Sequence, residues 1–486
     1  MDVPSRVSLN AQNLRLQEVS VTRKMSASLP NLRAVAQAKG LTIHHLGAGY
    51  PHPEVTDPRG FIEHTNGYFE HLTALEGHND QDALPEFLRE SYAYTDTLGP
   101  RSTREAFATV YGNDWGVTLD PDRLIPTVGA TGGISLVCAL FERSGEKLGY
   151  LTDAPTYAGF LARSALNQAT RIFSVDMDDE GPDPEQFRSQ ILAARSAGYF
   201  VPFYYTVPDG HNPAGISFSN ARRREILEVA RELGVLILED APYIYIDYSS
   251  EEAGSQNTGG RPTPFVAMDP QQTVHLFTGS KIGLPGPRIG FIYSDATLEI
   301  ADGAQVPIAD LLLTESSSDI LFQNPAALRS FEGLLHKSVG NGSYQLRDSL
   351  WGVAESKLGV YRDNRQMLLE GLQAELGDWP DEFHWTTPQA GFFSVFTFLK
   401  DGVTTDDAFI EQLVADYGVV VIPMYDFYPP DAKQRNPRAG LNQLRISFCF
   451  SESTGEQRRK DMRTAVAAFC QAVKKLIGKT SGELKA

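Results

Sequence analysis

Residues 220–240 limit the folds open to this chain more than any other stretch. Ile226, Val229, Ala230 and Leu233 recur at i, i+3, i+4 and i+7, the period of an amphipathic helix, with Asn220 placed to cap its start. Gly234 follows, a residue type that closes helices in the left-handed region. Residues 235–238 are then uninterruptedly apolar and end in Glu239-Asp240. A strand without polar alternation belongs in a sheet covered on both faces. Residues 124–128, 150–152, 203–207, 274–277 and 291–293 read as further short strands, and 134–141 as a helix behind Gly129-Ala130-Thr131-Gly132-Gly133. This alternation predicts an α/β domain with a mostly parallel sheet between helices.

From about residue 330 the texture changes. A charged helical stretch at 361–372 precedes strand-like runs at 385–398 and 419–422 and an amphipathic helix at 456–475. A second, smaller α+β domain is expected. The predicted organisation is an N-terminal segment 1–45 packing with the small domain, a large domain 46–330 and a small domain 331–486. Stretches 249–264 and 428–442, rich in Gly, Ser and Pro, read as surface insertions. The formal net charge of −18 gives no electrostatic case for binding nucleic acid or an anionic membrane. Cys138, Cys449 and Cys470 form no CxxC pair, so neither a disulfide framework nor a cysteine metal site is expected. With no secretory signal and no bilayer-length apolar run, the chain is expected to be soluble and cytoplasmic.

Three segments carry chemistry. Thr278-Gly279-Ser280-Lys281 ends a strand in hydroxyls and a lysine, and Arg288 stands seven residues later past Pro285-Gly286-Pro287. Hydroxyls, a guanidinium and an amine suit a phosphorylated aldehyde held as a Schiff base; a solvated loop lysine is the plain alternative. Asp240 ends a buried strand, where open α/β sheets place ligands. Its carboxylate can keep a pyridine nitrogen protonated, and the phenol of Tyr243 can reach the same ring; a helix cap is the alternative. Asn212, extended by the following Pro213, can present its amide to a ring oxygen or simply form a turn.

The ordered set formed by residues 205–215, 239–243 and 280–288 resembles the class I/II aminotransferases of fold type I, the pyridoxal 5′-phosphate enzymes of the aspartate aminotransferase superfamily. The resemblance runs from about residue 46 to 448. It implies that Lys281 is the internal-aldimine lysine and proton shuttle, that Asp240 partners the pyridinium, and that Asn212 and Tyr243 bond the ring's 3-oxygen. It implies phosphate contacts from Thr278, Ser280, Arg288 and the Ala130-Thr131 loop opening a helix. Tyr157 would stack on the ring, and Tyr94 would reach the phosphate of a neighbouring subunit, implying a homodimer. Arg445 would bind the substrate α-carboxylate by its planar fork, with Asn212 and a backbone contact from Gly49 beside it.

The chain departs from the family pattern at Ala130, which offers no side-chain polar atom, and at Thr278, which keeps the hydroxyl of the usual Ser. Residues 280–286 and 425–429 are also similar to valine–pyruvate aminotransferase. The implied activity moves an amino group between an amino acid and a 2-oxo acid without a metal. Lyases, decarboxylases and oxidases share this residue set, so they stand as alternatives. An aminotransferase-like transcription regulator would need a basic DNA-binding module before residue 46, where too few residues stand. His44, His45 and His52 read as structural rather than substrate-binding. Arg222-Arg223-Arg224 and Arg458-Arg459-Lys460 read as solvated helix faces.

Overall fold

The computed structural model describes residues 21–76, 85–167, 169–249, 260–282, 285–449 and 451–483. Residues 250–259 of the expected insertion, and Gly283-Leu284 of the lysine loop, lie outside them. The helix expected after residue 220 spans Asn220–Leu233, and Gly234 closes it at φ 59. Its cap is Ser219, whose side chain accepts from the Arg222 N–H. Asn220, expected there, is already helical, and its Oδ1 instead accepts from the Thr263 N–H at 2.8 Å.

The nine strands that frame the molecule's centre are β1 (His44–His45), β2 (Ile125–Val128), β3 (Gly149–Ala154), β4 (Arg171–Asp178), β5 (Gly181–Pro182), β6 (Phe203–Thr206), β7 (Leu236–Asp240), β8 (Thr273–Thr278) and β9 (Ile289–Tyr293). Strands β2 to β9 form one eight-stranded sheet in the order β2-β9-β8-β7-β6-β3-β4-β5. The run β8-β7-β6-β3-β4 is parallel, and β9, β2 and β5 pair antiparallel. Neighbouring residues of β7 enter opposite cores, as a pleat requires. Leu238 packs with Ile134, Val137 and Leu276 on one face, while Ile237 packs with Ile226, Ala230 and Tyr204 on the other. The continuous apolar run is thereby explained: each full burial contributes about 2 kcal/mol.

The segment expected as one strand at 385–398 is two, Phe383–Trp385 and Phe393–Phe398, paired antiparallel across a turn. Phe393–Phe398 pairs with Gln443–Ser447, which pairs with Ile422–Pro423, completing a four-stranded sheet. β1 pairs parallel with Val419–Val420, and Lys24 and Lys39 bond Asp407 (2.6 Å) and Asp416 (2.8 Å). The expected insertion 428–442 holds a helix, Pro430–Arg435, whose Asp431 accepts from the Ser174 N–H at 2.8 Å. That stretch is therefore fastened to β4 rather than lying loose on the surface.

One residue in each basic run departs from the reading of solvated faces, while Arg224 and Lys460 are exposed as expected. Arg223 is 0% exposed and donates to Asp209 Oδ1 at 2.6 Å and to the carbonyls of Pro208, Phe218 and Thr263. Arg458 is buried too, bonded to Asn364 at 2.5 Å and to Asp363 at 3.1 Å. Burial follows from partners remote in sequence, since an isolated charge inside would be prohibitive. Arg223→Ala would strand Asp209 without its cation. A loss of about 3–5 kcal/mol in unfolding free energy is expected by denaturant titration.

Candidate active site

The strands deliver their C-terminal ends to one edge of the sheet. β7 ends at Asp240 and β8 at Thr278, in adjacent parallel register with Asp240 opposite Leu276. Lys281 follows β8 by three residues. Its Nζ donates to the Gly49 carbonyl at 3.1 Å and stands 5.8 Å from the centre of the Tyr243 ring and 5.9 Å from that of Phe392. Burial lowers the Lys281 pKa; Arg288 and Arg445 add to that, against the opposing pull of Cys449 and Asp240. An amine biased toward its neutral form is the form that attacks a carbonyl and accepts a proton.

Asp240 is buried. Its Oδ2 accepts from the Tyr205 hydroxyl at 2.8 Å, and Tyr205 is itself stacked on Phe160 at 4.0 Å and 9°. Its Oδ1 is buried with no hydrogen-bond partner among the described residues. Desolvation raises the Asp240 carboxyl to about 6. An orphaned carboxylate oxygen in this position suits a donor that the chain itself does not supply, such as a ring N–H. The Tyr243 phenol, held well above its ordinary pKa by burial, stays a proton donor.

Thr278, Ser280 and Arg288 come together: Thr278 Oγ1 lies 3.0 Å from Ser280 Oγ, and Arg288 Nη1 donates to Ser280 Oγ at 3.1 Å. Arg288 takes φ 59, a region that side-chain-bearing residues avoid. That strained backbone brings its guanidinium beside Gly129. Gly129 has φ +67, a conformation that favours glycine, and a Cβ there would lie 2.6 Å from Arg288 Nη2 and force the guanidinium to move. The helix starts at Gly129, five residues before the stretch expected from apolar pattern, and places Ala130 and Thr131 in its first turn. Free N–H groups, hydroxyls and a guanidinium make a cradle of the kind phosphate occupies. The carboxylate, amine and cradle fit a phosphorylated pyridine aldehyde.

Asn212 and Arg445 also meet. Arg445 is 1% exposed, and its Nη1 donates to Asn212 Oδ1 at 2.8 Å and its Nη2 to the Gly47 carbonyl at 2.9 Å. The rings of Phe393 and Phe427 lie 4.3 and 4.9 Å from its guanidinium carbon. Burial brings its pKa down to about 10, still cationic near neutrality. Tyr157 directly precedes the helix Ala158–Ser164, and burial raises the pKa of its phenol. Tyr94 alone stands apart from this cluster: it is 88% exposed, against Phe322.

His52 is buried in a local role, with Nδ1 accepting from the Glu54 N–H at 3.1 Å and Nε2 facing Ser451 Oγ at 3.0 Å. Sequence reasoning missed Tyr205, which orients Asp240. It also missed Gln323, whose amide donates to the carbonyls of Thr127 (3.1 Å) and Arg288 (2.6 Å) and so ties β2 to the strained turn. A tyrosine inside β6 and a lone glutamine carry no local signal of these roles.

A doubly wound sheet with this lysine, carboxylate and phosphate cradle at one edge defines a fold type I pyridoxal 5′-phosphate enzyme. The sequence profile described as aminotransferase class I and II matches residues 88–457, and the chain belongs to that family. It is a pyridoxal phosphate-dependent aminotransferase. The (S)-3,5-dihydroxyphenylglycine transaminase of Amycolatopsis orientalis is 29% identical over 404 residues, 83% of each chain. Aromatic-amino-acid aminotransferase 1 of Thermococcus litoralis is 25% identical over 375 residues, 77% of this chain and 79% of its own. The crystal structure of the multiple substrate aminotransferase from Thermococcus profundus shares the fold at TM-score 0.71 and 22% identity, covering 96% of this chain and 98% of its own. Among the described residues no helix is long and apolar enough to cross a membrane, and no group of three or more His, Cys, Asp or Glu is placed to hold a metal.

Proposed function

We propose that Lys281 is the reacting amine of this aminotransferase and that Arg445 anchors the α-carboxylate of the amino acid and of the 2-oxo acid. The observation that carries this reading is the pairing of a half-buried lysine, lowered in pKa and bonded to the Gly49 carbonyl, with a carboxylate whose second oxygen lacks a partner among the described residues. When bound, the cofactor supplies an electron-withdrawing ring that acidifies the donor's Cα–H. The chain supplies the rest. Arg445 holds the carboxylate end of the donor, and Asn212 Nδ2 is left free to donate because its Oδ1 is committed to Arg445. Lys281 Nζ would take the proton from the donor's Cα and hold it for return to the reacting carbon skeleton. Asp240, fixed by Tyr205, holds the proton of the ring nitrogen in place. Thr278, Ser280, Arg288 and the backbone at 130–131 would hold the phosphate, and Tyr157 would line the ring's place.

The donors proposed first are amino acids with aryl side chains. Relatives are named for dihydroxyphenylglycine and aromatic amino acids, and Phe393, Phe427, Tyr157 and Tyr243 crowd the arginine's surroundings with apolar surface. The exposed Tyr94 supports a homodimer in which it reaches a second subunit's cradle. The acidic charge and three buried free thiols support a cytoplasmic setting. The divisions near residues 46 and 331 are proposed as domain boundaries.

The test is a half-reaction. Holoenzyme mixed with a donor and no acceptor should lose the aldehyde-form absorbance and release one equivalent of the 2-oxo acid; an unchanged spectrum with every amino acid overturns the reading. Arg445→Lys keeps a cation but not the fork. The KM for both substrates is expected to rise roughly ten- to a hundredfold with cofactor affinity unchanged, as measured in steady-state kinetics and cofactor titration.

A further inference from the structure

We infer that Ser447 and Cys449 are positioning residues that set the affinity for the substrate carboxylate by aiming the Gly49 N–H. The inference rests on the site reading above. Arg445, Ser447 and Cys449 stand at alternate positions of the strand Gln443–Ser447 and its extension, so they project to one side. All three grip the same short backbone segment. Arg445 Nη2 donates to the Gly47 carbonyl at 2.9 Å, Ser447 Oγ donates to the Ala48 carbonyl, and Cys449 Sγ donates to the same carbonyl at 3.2 Å. The two donors also touch one another, Oγ to Sγ at 3.2 Å. Backbone bonds fix the segment's start, from Ser447 N–H to the Leu46 carbonyl at 2.7 Å and from Leu46 N–H to the Val420 carbonyl at 2.9 Å.

The Ala48 carbonyl and the Gly49 N–H belong to one planar peptide unit, which is trans. In such a unit the two groups point in opposite directions. Capping the carbonyl twice from the strand side therefore turns the N–H away from that strand. This N–H donates to no described residue, whereas the Gly49 carbonyl is occupied by the reacting amine of Lys281 at 3.1 Å. This open donor thus sits on the residue that touches the lysine, one peptide from the carbonyl that Arg445 holds. A carboxylate bridging Arg445 and the Gly49 N–H satisfies both. One strand accordingly carries the guanidinium and fixes the backbone donor that completes the anion site. A thiol is a weak donor and a hydroxyl a better one, so the two side chains contribute unequally.

The experiment uses holoenzyme carrying Ser447→Ala, Cys449→Ala, Cys449→Ser and the double alanine change. Donor and acceptor KM, kcat, the bound-cofactor spectrum, inhibition by a non-reacting aryl monocarboxylate such as 3-phenylpropionate, and thermal midpoint are measured. The expected result is a KM raised about fivefold in Ser447→Ala, less in Cys449→Ala and more than tenfold in the double variant. Inhibition by 3-phenylpropionate should weaken in parallel, with kcat and the cofactor spectrum held. Cys449→Ser should return KM to within twofold of wild type. An unchanged KM in the double variant, a fall in kcat alone, or a Cys449→Ser as impaired as Cys449→Ala overturns the inference. Should the double variant fail to fold, the two single variants and Cys449→Ser decide it. Failure of the wild type to convert its cofactor with any amino acid would instead overturn the site reading.

Discussion

Lys281→Ala is expected to lower kcat by at least about a thousandfold while leaving the folded protein able to take up its cofactor. The cradle of Thr278, Ser280, Arg288 and the 129–131 turn does not depend on the lysine side chain, so phosphate binding persists. What disappears is the amine itself, held 3.1 Å from the Gly49 carbonyl. Borohydride treatment followed by mass measurement separates the two effects. Wild type should gain one cofactor mass on the peptide containing Lys281, and the variant none. Turnover retained in the variant, or a wild-type peptide left unmodified, would contradict the assignment of Lys281.

Asp240→Asn is expected to move activity and stability in opposite directions. Removing the charge that holds the ring proton should cost roughly a hundred- to a thousandfold in kcat. In the cofactor-free protein the same change should stabilise. The Asp240 carboxyl is raised from 3.8 to about 6 by burial. A raised carboxyl binds a proton in the folded state that the unfolded chain has released. Wild-type stability therefore falls as pH rises between these two values, and the cost is complete above the upper one. A shift of this size corresponds to about 3 kcal/mol. The variant apoprotein should exceed wild type by about that amount at pH 7–8, and the gain should vanish near pH 4. Denaturant titrations at the two pH values measure both ends. Added cofactor should erase the difference by giving Asp240 Oδ1 its missing partner.

The parts of this molecule that were legible from sequence share one property: their chemistry is written within a few residues. The lysine behind two hydroxyls, the aspartate ending an apolar strand and the asparagine before a proline each admit a plain structural reading when taken alone, and only their order along the chain points to a shared site; β7 and β8 bring the first two to one edge of the sheet. Arg445 and Gly49 entered through family resemblance and not from their own neighbourhoods, for nothing adjacent to either shows that they lie close together. Arg223 was misread because its partner Asp209 precedes it by fourteen residues and belongs to a loop, so a run of three arginines resembled a wet helix face. Tyr205 was passed over as one more aromatic in a buried strand, its bond to Asp240 crossing 35 residues. The helix at Gly129 begins before its apolar stripe because a backbone close to Arg288 dictates the start there, and hydrophobic period does not register such an approach. The single strand expected at 385–398 overlooked a turn around Gly391, which adopts φ 74.

Because β7 and β8 lie side by side and end at the same edge, the distance between acid and amine is governed by the ladder of hydrogen bonds between two central strands. Arg445, the proposed carboxylate anchor, has a different foundation, a four-stranded sheet that meets the rest of the site through segment 46–49 and Asn212. Gentle heating or mild denaturant is expected to open a junction between separate sheets before it opens the central ladder. The molecule should thus become blind to its substrates while still coloured by its vitamin, a sequence of losses visible in the tube before any precipitate forms.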